Sequence, residues 1–432
     1  MRWEIVESQN PWWSDPKAID RDEHVAAVLS HKRQYILPYR PGNYLIFGPR
    51  QTGKTTYLKL CIRQLIKSGV EPSQCLYFTC NMTMRPSDIL DIVQAFGKKP
   101  GKKYFFFDEI SFVPGWERAV KQILDVQALR RDSNFYFTGS TTLELQKERF
   151  PGRPITIREF MPLTFREFCT LFGSAALQST LKKVGARLEQ IPNKVPQLLP
   201  YNGELAKLFE DYIRCGGFLR AAYELLEGKG VREETYEIYW AWIAGDIARL
   251  NFSERTLSAV LNGVVRRYAS PFSLASLAKE VEIPSHITVR DYLEVLESLC
   301  VLRSYWKSYT RAPAFRKERK VYFTDPFLYH VCAFKTLGLK EGLLNERPKI
   351  VEGVVGEALR RCGLAVRFVR GRHELDFAVG NVGIEVKWQE QVSSRDWPEI
   401  NIKCKYLLSK NDLELSGVVK VIPVHIFLAL LD

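Results

Sequence analysis

Short apolar runs alternate with amphipathic stretches in the first part of the chain. Residues 44–47, 75–80, 102–107 and 134–138 are apolar runs of strand length. Between them, residues such as 57–67 and 116–129 repeat apolar side chains at the spacing of a helix. Strands that alternate with helices predict a parallel sheet whose two faces are both covered. The pattern therefore predicts an α/β fold for this part of the chain.

A glycine-rich loop separates the first of these strands from the helix that follows. Its sequence, Gly48-x-x-x-x-Gly53-Lys54-Thr55, is a complete phosphate-binding motif. Glycines let backbone N–H groups wrap closely around a triphosphate, and the helix directs its N-terminus at the phosphates. Lys54 would contact the β- and γ-phosphates, while the Thr55 hydroxyl would hold Mg²⁺. The expected ATP contacts are Gly48, Pro49, Arg50, Gln51, Thr52, Gly53, Lys54, Thr55 and Thr56.

Two carboxylates, Asp108 and Glu109, end the third strand. Asp108 would bind the magnesium ion through water, and Glu109 would orient and polarise the attacking water. Ligands of α/β nucleotide-binding folds lie at the carboxyl ends of strands, so Thr138 and Ser140 are expected to face the γ-phosphate. With Lys54, these residues predict hydrolysis of ATP as well as binding.

Together with two later runs, these motifs resemble the AAA-type ATPases of archaea and bacteria that carry a restriction-endonuclease-like domain at the C-terminus. The phosphate loop alone is common to many families, and the run at residues 162–168 is the more specific part. The resemblance rests on residues 48–55, Asp108-Glu109-Ile110 with Trp116 downstream, Gly139-Ser140, Gly152-Arg153 and residues 162–168.

The resemblance implies more than a P-loop core. In AAA-type rings an arginine of the neighbouring subunit reaches the γ-phosphate, and Arg153 is the first candidate for this finger, ahead of Arg149 and Arg158. It also implies a homo-oligomeric ring of unknown size. The helical stretch after the core would form the small lid of the family.

A helix, a turn, a second helix and a strand follow one another between residues 255 and 310, which is the pattern of a winged helix. In such modules the second helix enters the major groove of DNA, and Arg290 lies on its candidate exposed face. The basic residues Arg311, Arg316 and Lys317 follow at once and are expected to contact DNA phosphates. A protein-binding winged helix and a merely solvated charge run are the alternatives.

A second group of polar residues lies near the C-terminus. Alternation along two neighbouring strands brings Asp376, Glu385 and Lys387 to one edge of a small sheet. Two such carboxylates would bind Mg²⁺, and the lysine would position water or stabilise phosphate charge. The spacing Asp-x(8)-Glu-x-Lys resembles the signature of restriction-endonuclease-like nucleases. That resemblance implies a further metal ligand from an upstream helix, for which Glu352 is preferred to Glu357.

Composition narrows the class of protein. The chain has 432 residues, a net charge of +13 and 46% hydrophobic residues, which fits a folded protein with a nucleic-acid partner, and DNA is the expected one. No uncharged apolar stretch reaches the ~18 residues of a membrane span, so none is expected, and the first residues lack the apolar core typical of a signal peptide. Nine scattered cysteines without a C-x-x-C pair favour a reducing cytoplasm over zinc or disulfides.

The full prediction is a P-loop NTPase core of AAA type with a helical lid, a winged helix and a C-terminal α/β nuclease-like domain. The predicted function is a DNA-associated, ATP-hydrolysing ATPase. Mg²⁺-dependent cleavage of DNA by its nuclease-like domain is left open. The alternatives are a signalling-type ATPase switch and a DNA-remodelling ring motor, whose C-terminal domain binds without cutting. The expected boundaries are 1–40 for an N-terminal segment packing on the core, 41–165 for the core, 166–254 for the lid, 255–310 for the winged helix and 311–432 for the nuclease-like domain.

Overall fold

The chain forms two compact units, Met1–Met161 and Pro162–Asp432, in a computed structural model. The structure describes residues 3–81, 83–98, 100–127, 132–140, 150–228, 230–308, 318–339 and 346–432. Three predicted DNA contacts, Arg311, Arg316 and Lys317, therefore lie outside the described residues. Within those ranges, none of the helices is both long enough and apolar enough to cross a membrane.

A five-stranded parallel sheet is the centre of the first unit. Its strands are β1 (Tyr44–Phe47), β2 (Cys75–Thr79), β3 (Lys103–Asp108), β4 (Ser133–Gly139) and β5 (Thr156–Glu159). Their order across the sheet is β2-β3-β4-β1-β5. All four neighbouring pairs are parallel, which confirms the parallel sheet that the alternation of strands and helices predicts.

Helices cover both faces of this sheet. Because side chains alternate along a strand, Phe105 and Phe107 point into one apolar layer with Trp116, while Phe106 points into the other with Leu58. Strands buried on both faces read as continuous apolar runs, which is why they are visible in the sequence. The described α-helices of this unit are Trp3–Ser8, Glu23–Ser30, Lys54–Lys67, Pro86–Gly97 and Trp116–Asp125.

The N-terminal segment covers the exposed edge of β2. The Asn10 side chain accepts a hydrogen bond from the Tyr77 backbone N–H at 2.7 Å and donates one to its carbonyl at 2.8 Å, as a neighbouring strand would. The indole N–H groups of Trp12 and Trp13 both donate to the Cys75 carbonyl, at 3.1 and 2.8 Å. An open strand edge is a template for aggregation, and these side chains close it.

The second unit contains a seven-stranded mixed sheet in the order β12-β11-β10-β9-β8-β6-β7. Strand β6 pairs antiparallel with β7 and parallel with β8, so the end of the segment predicted as a winged helix is continuous with the C-terminal sheet. The strands are β6 (Leu302–Ser308), β7 (Arg319–Phe323), β8 (Arg367–Arg370), β9 (Glu374–Val379), β10 (Val382–Lys387), β11 (Cys404–Ser409) and β12 (Val419–Pro423).

Helices make up most of the remainder of the second unit. Described α-helices include Phe165–Phe172, Ala175–Leu181, Ile191–Lys194, Asn202–Cys215, Leu219–Glu227, Glu233–Arg249, Glu254–Arg266, Leu274–Glu280, His286–Ser298, Pro326–Leu337, Arg347–Arg361 and Val424–Leu430. The helix Arg347–Arg361 packs against the sheet at close range: a Cβ on Gly356 would come within 2.9 Å of the Phe377 ring. Glu352, one turn before Gly356 on this helix, comes within 2.8 Å of Lys320 on β7.

The run at residues 162–168 has a structural role. Thr164 caps the helix Phe165–Phe172, with Glu167 closing the capping box. The Arg166 guanidinium donates to the carbonyls of Leu181 and Val184 at 2.6 and 2.7 Å, and also to the carbonyl of Ala429. It thereby ties the start of this unit to its C-terminal helix, which gives a physical reason for the residue types in this run.

Candidate functional site

The phosphate loop leaves β1 at a position where only glycine fits. A Cβ on Gly48 would lie 2.1 Å from the Phe160 carbonyl oxygen, because β5 passes directly beside it. Gly53 has φ +93°, a left-handed conformation that favours glycine, and the helix Lys54–Lys67 begins at the next residue. The two glycines therefore shape a tight loop at the N-terminus of a helix, as the motif predicts.

Lys54 lies across this loop. Its Nζ donates to the carbonyls of Gly48 and Pro49 at 2.9 and 2.8 Å, and the side chain is buried. The Thr52 hydroxyl donates to the Pro49 carbonyl at 2.9 Å and fixes the middle of the loop. Arg50 places its guanidinium 5.3 Å from the centre of the Phe112 ring, on the turn after β3. The positive charge of Lys54 is thus held where phosphate oxygens would enter.

Asp108 is the centre of the site. The Thr55 hydroxyl donates to its Oδ2 at 2.6 Å, and the Tyr77 hydroxyl donates to the same oxygen at 2.8 Å. The Thr138 hydroxyl donates to its other oxygen, Oδ1. One buried carboxylate therefore joins the first turn of the phosphate-loop helix to strands β2, β3 and β4. The hard oxygens of Thr55 and Asp108 suit Mg²⁺, which prefers such donors.

Tyr77 was not predicted from the sequence. A tyrosine in a buried strand usually needs a hydrogen-bond partner for its hydroxyl, and this requirement could have indicated that Tyr77 contacts a polar group of the site. The Thr79 hydroxyl donates to the Tyr77 hydroxyl at 3.0 Å, and this hydrogen bond helps to orient the Tyr77 hydroxyl towards Asp108. Thr138, which was expected to face the γ-phosphate, contacts Asp108 instead.

Glu109 and Ser140 follow β3 and β4 at the same edge of the sheet. Glu109 has φ +54°, a conformation that is uncommon for a side chain of this kind, and its N–H donates to the Thr138 hydroxyl at 3.0 Å. The Ser140 N–H donates to the Ser111 hydroxyl at 3.4 Å, and Ser140 is buried. The residues predicted for hydrolysis are thus brought together next to the phosphate loop.

Arg153 lies at the other end of the strands. It forms a two-point ion pair with Asp125, at 2.9 and 2.8 Å, near the C-terminus of the helix Trp116–Asp125. The next strand pairs Thr156 with Tyr44 at the start of β1, whereas the loop leaves the end of β1. Arg153 is therefore not brought to the phosphate loop of its own chain, and a finger role remains a prediction about a neighbouring copy. Arg149 lies outside the described residues, and Arg158 stacks on the Tyr44 ring.

The C-terminal residues predicted to act together do meet in the second unit. The Asp376 N–H donates to Glu385 Oε2 at 3.3 Å, and Lys387 Nζ lies 2.8 Å from Glu385 Oε1. Glu352 reaches the same cluster from the helix Arg347–Arg361. Glu357, the alternative to Glu352, instead pairs with arginines of its own helix, Arg360 and Arg361, at 3.0 and 3.1 Å.

Lys320, which the sequence argument did not include, lies at the centre of this cluster. Its Nζ is 2.8 Å from Glu352 Oε1, 2.8 Å from Glu374 Oε1 and 3.1 Å from Asp376 Oδ1. Tyr322, two residues further along β7, donates its hydroxyl to Glu352. Alternation along residues 320–323 was the available signal, since it puts Lys320 and Tyr322 on one face.

This arrangement does not fit a magnesium ion at Glu352, Asp376 and Glu385. Across the described ranges, no group of three or more His, Cys, Asp or Glu is arranged to hold a metal ion. Burial, reinforced by the charge of Asp376, raises the pKa of Glu352 to about 8 and that of Glu385 to about 7. Although burial disfavours a charged lysine, the carboxylates of Glu352 and Asp376 hold the pKa of Lys320 above its ordinary value.

The helix His286–Ser298 presents Arg290 to solvent. Its guanidinium is 2.9 Å from Asp291 and 3.7 Å from Glu294 on the same helix. These acidic neighbours reduce the positive potential of this face. Contact between Arg290 and DNA stays a prediction.

Comparison with known proteins gives the class of the first part of the chain. Residues 41–169 match the family model of an AAA domain, and residues 206–341 match a domain of unknown function, DUF8612. The first match, with the phosphate loop and Asp108 geometry, defines an AAA-type P-loop domain.

Two relatives belong to Methanocaldococcus jannaschii, and both are uncharacterised proteins. MJ1637 is 24% identical over 293 residues, which cover 65% of this chain and 60% of that protein. MJ1544 is 23% identical over 358 residues, covering 78% of this chain and 71% of that protein. The chain thus spans less than two thirds of the length of MJ1637.

Solved structures with some similarity include the Aeropyrum pernix ORC1 protein in complex with DNA, at 17% identity and a TM-score of 0.32, covering 76% of this chain and 96% of that one. The Thermotoga maritima RuvB Holliday junction branch migration motor matches at 15% identity and a TM-score of 0.26, covering 69% and 90%. TM-scores this low do not establish a common overall fold.

Proposed function

We propose that the protein is a DNA-associated AAA-type ATPase that hydrolyses ATP to ADP and phosphate. The observation that supports this most strongly is the position of Asp108, whose carboxylate accepts hydrogen bonds from Thr55 and Tyr77 on Oδ2 and from Thr138 on Oδ1. A buried carboxylate held next to a phosphate loop is what a nucleotide with its magnesium ion requires.

ATP would bind with its phosphates on the backbone N–H groups of the loop. Lys54 would leave the carbonyls of Gly48 and Pro49 and pair with the β- and γ-phosphates. Thr55 and Asp108 would hold Mg²⁺, which when bound neutralises charge on the phosphates. Glu109 would orient the attacking water, and the nearby Ser140 would contact the γ-phosphate.

DNA is the proposed macromolecular partner, and a homo-oligomeric ring is the proposed assembly. The net charge of +13 supports a nucleic-acid partner, and Arg290 and the basic residues after β6 are the proposed contacts. Arg153 would serve as the finger of such a ring, since it lies away from the phosphate loop of its own chain. All nine cysteines, each in a described part of the chain, are free thiols, which supports a cytoplasmic location.

Cleavage of DNA by the C-terminal domain is a second candidate activity. Its support is the approach of Asp376, Glu385 and Lys387, as the nuclease signature requires. Its difficulty is the Lys320 ammonium among the carboxylates, which favours a domain that binds without cutting. A signalling switch and a DNA-remodelling ring motor both remain compatible with such a domain.

Two experiments test the main proposal. Lys54→Ala should abolish ATP turnover, because the Lys54 ammonium is the charge held across the loop on the Gly48 and Pro49 carbonyls. Turnover at the wild-type rate would refute the ATP site. Duplex DNA binding should weaken steeply with salt, with a log–log slope near −0.9 per phosphate contact. A protein-binding switch would show little such dependence.

A further inference from the structure

The acidic cluster of the second unit is built around one lysine. Lys320 leaves β7, runs over the Phe368 ring with its Nζ 5.8 Å from the ring centre, and ends between Glu352, Glu374 and Asp376. Its side chain is only 2% exposed. An isolated ammonium in the interior would be very costly, so the three carboxylates must offset its loss of water.

The geometry satisfies the ammonium completely. A lysine has three N–H donors, and three different carboxyl groups lie within 3.1 Å of Nζ. One acceptor comes from a helix and two from β9, so the lysine links three separate elements. An ammonium that is covalently part of the chain and held by three carboxyl groups does not exchange with cations in the solvent.

The carboxylates are satisfied in turn by donors of the chain itself. Glu352 accepts from Lys320 and Tyr322, and Asp376 accepts from Lys320 and, at 3.0 Å, from the Val386 N–H. Glu385 accepts from Lys387 and from the Asp376 N–H. Glu352, Asp376 and Glu385 therefore belong to one hydrogen-bonded network, which reaches solvent at Glu374, whose side chain is 38% exposed. Such networks specify one arrangement of the groups.

A divalent cation would need the oxygens that Lys320 uses. Mg²⁺ takes oxygen ligands at about 2.1 Å in octahedral geometry, and Mn²⁺ suits the same oxygen donors. An ammonium on Glu352 Oε1 and Asp376 Oδ1 blocks that approach and repels a second positive charge. Both cations cannot occupy this cluster.

We propose that Lys320 is a built-in cation that takes the place of a divalent metal ion in the C-terminal domain and excludes Mg²⁺ and Mn²⁺ from Glu352, Glu374 and Asp376. The domain then does not carry out metal-dependent cleavage at these residues. The inference does not depend on ATP turnover, because it concerns only groups of the second unit.

The test is a titration of the full-length protein with Mn²⁺, in which binding is measured by calorimetry. The protein is first treated with a chelator and freed of nucleotide. Wild type should show no Mn²⁺ binding that depends on Asp376. Lys320→Met keeps the length of the side chain but removes its charge. This variant should bind Mn²⁺ at least about tenfold more tightly than the weakest Asp376-dependent binding that could be detected in the wild type. Adding Asp376→Asn to this variant should abolish the gain.

Lys387→Met is the matched control, because it removes a lysine from the same cluster and leaves Lys320 in place; it should gain no comparable site. Lys320→Met should also unfold at a lower temperature than wild type, and Mn²⁺ should restore part of the loss. If that variant does not fold, Lys320→Met with Glu352→Gln removes one charge of each sign and serves in its place.

Two results would overturn the proposal. One is Asp376-dependent Mn²⁺ binding by the wild type, which would mean that Lys320 yields to the metal. The other is a folded Lys320→Met variant without any Asp376-dependent binding, which would mean that the lysine does not hold the position of a metal ion.

Discussion

The hydroxyl of Tyr77 should set the rate of ATP hydrolysis through its contact with Asp108. Tyr77→Phe removes one atom from a buried site, and that atom donates to Asp108 Oδ2 at 2.8 Å. The ring can stay in place, so the substitution separates the hydrogen bond from the packing. Tyr77 would touch neither the nucleotide nor the water, and it is therefore a positioning residue.

The expected size follows from the hydrogen bonds that remain. A hydrogen bond to a charged group contributes about 1.5–3 kcal/mol. Asp108 would keep the hydroxyl donors of Thr55 and Thr138, so we expect the lower end of this range. Since about 1.4 kcal/mol corresponds to tenfold in rate, kcat should fall about tenfold.

The assay is steady-state phosphate release at varied ATP and at varied Mg²⁺. We expect a lower kcat, a nearly unchanged KM for ATP, and a higher Mg²⁺ requirement, because a less rigid Asp108 orders the ion less well. Tyr104→Phe is the control: this tyrosine is the second residue of β3, four residues before Asp108, and pairs with Cys75 at the far end of β2.

A folded Tyr77→Phe protein with kcat and Mg²⁺ requirement within about twofold of wild type would refute this reasoning. A lower melting temperature with unchanged kinetics would also contradict the prediction, because the hydroxyl would then have a structural role only. An equal loss in Tyr104→Phe would show that the effect is not specific to Asp108.

Two further predictions concern the neighbouring subunit and the second unit. Arg153→Ala should lower ATP turnover by about 10³ or more while sparing nucleotide binding. Asp125→Ala is the control, because it breaks the same ion pair but keeps the arginine, and it should leave turnover unchanged. Normal turnover in Arg153→Ala would reject the finger. Burial raises the pKa of Asp325 from 3.8 to about 7, so its contribution to stability is full below the ordinary value and is lost as the pH rises through 7. Asp325→Asn can still cap the helix Pro326–Leu337, and it should flatten the fall in melting temperature between pH of about 4 and 8; an unchanged pH profile would count against this assignment.

The arrangement of residues around the phosphate loop could be predicted from sequence because these residues are local to strand ends. The phosphate loop follows β1, and Asp108 and Glu109 follow a run of four aromatic residues, so each motif comes with the element that positions it. Central parallel strands are apolar on both faces, which makes their ends easy to see. Strands β1 to β4 lie within about two residues of the predicted runs, whereas β5 was not predicted.

The parts that were not predicted depend on contacts between distant segments. Lys320 is 32 residues from Glu352 and 56 from Asp376, and no spacing in the sequence brings these three together. Tyr77 was hidden in an apolar strand, where its hydroxyl could be assigned a partner only once β2 and β3 were paired. The hairpin β6–β7 joins the C-terminal sheet through a few residues of β8, a pairing that local patterns do not encode.

The acidic signature near the C-terminus illustrates a related limit. Asp376, Glu385 and Lys387 do meet, since the alternation along two adjacent antiparallel strands fixes their faces. Their chemistry depends on what fills the space between the carboxylates, and that group comes from another strand. Spacing can therefore predict which side chains meet without indicating what chemistry they carry out.

The central claim is that Glu109 and the phosphate loop hydrolyse ATP, and one paired measurement tests it most directly. ATP binding and phosphate release should be measured side by side for wild type and Glu109→Gln, which keeps the size of the side chain and removes the base. Both proteins should bind ATP equally, and Glu109→Gln should release phosphate more slowly by about 10² or more. Phosphate release by Glu109→Gln at the wild-type rate, or no release by the wild type, would contradict this claim.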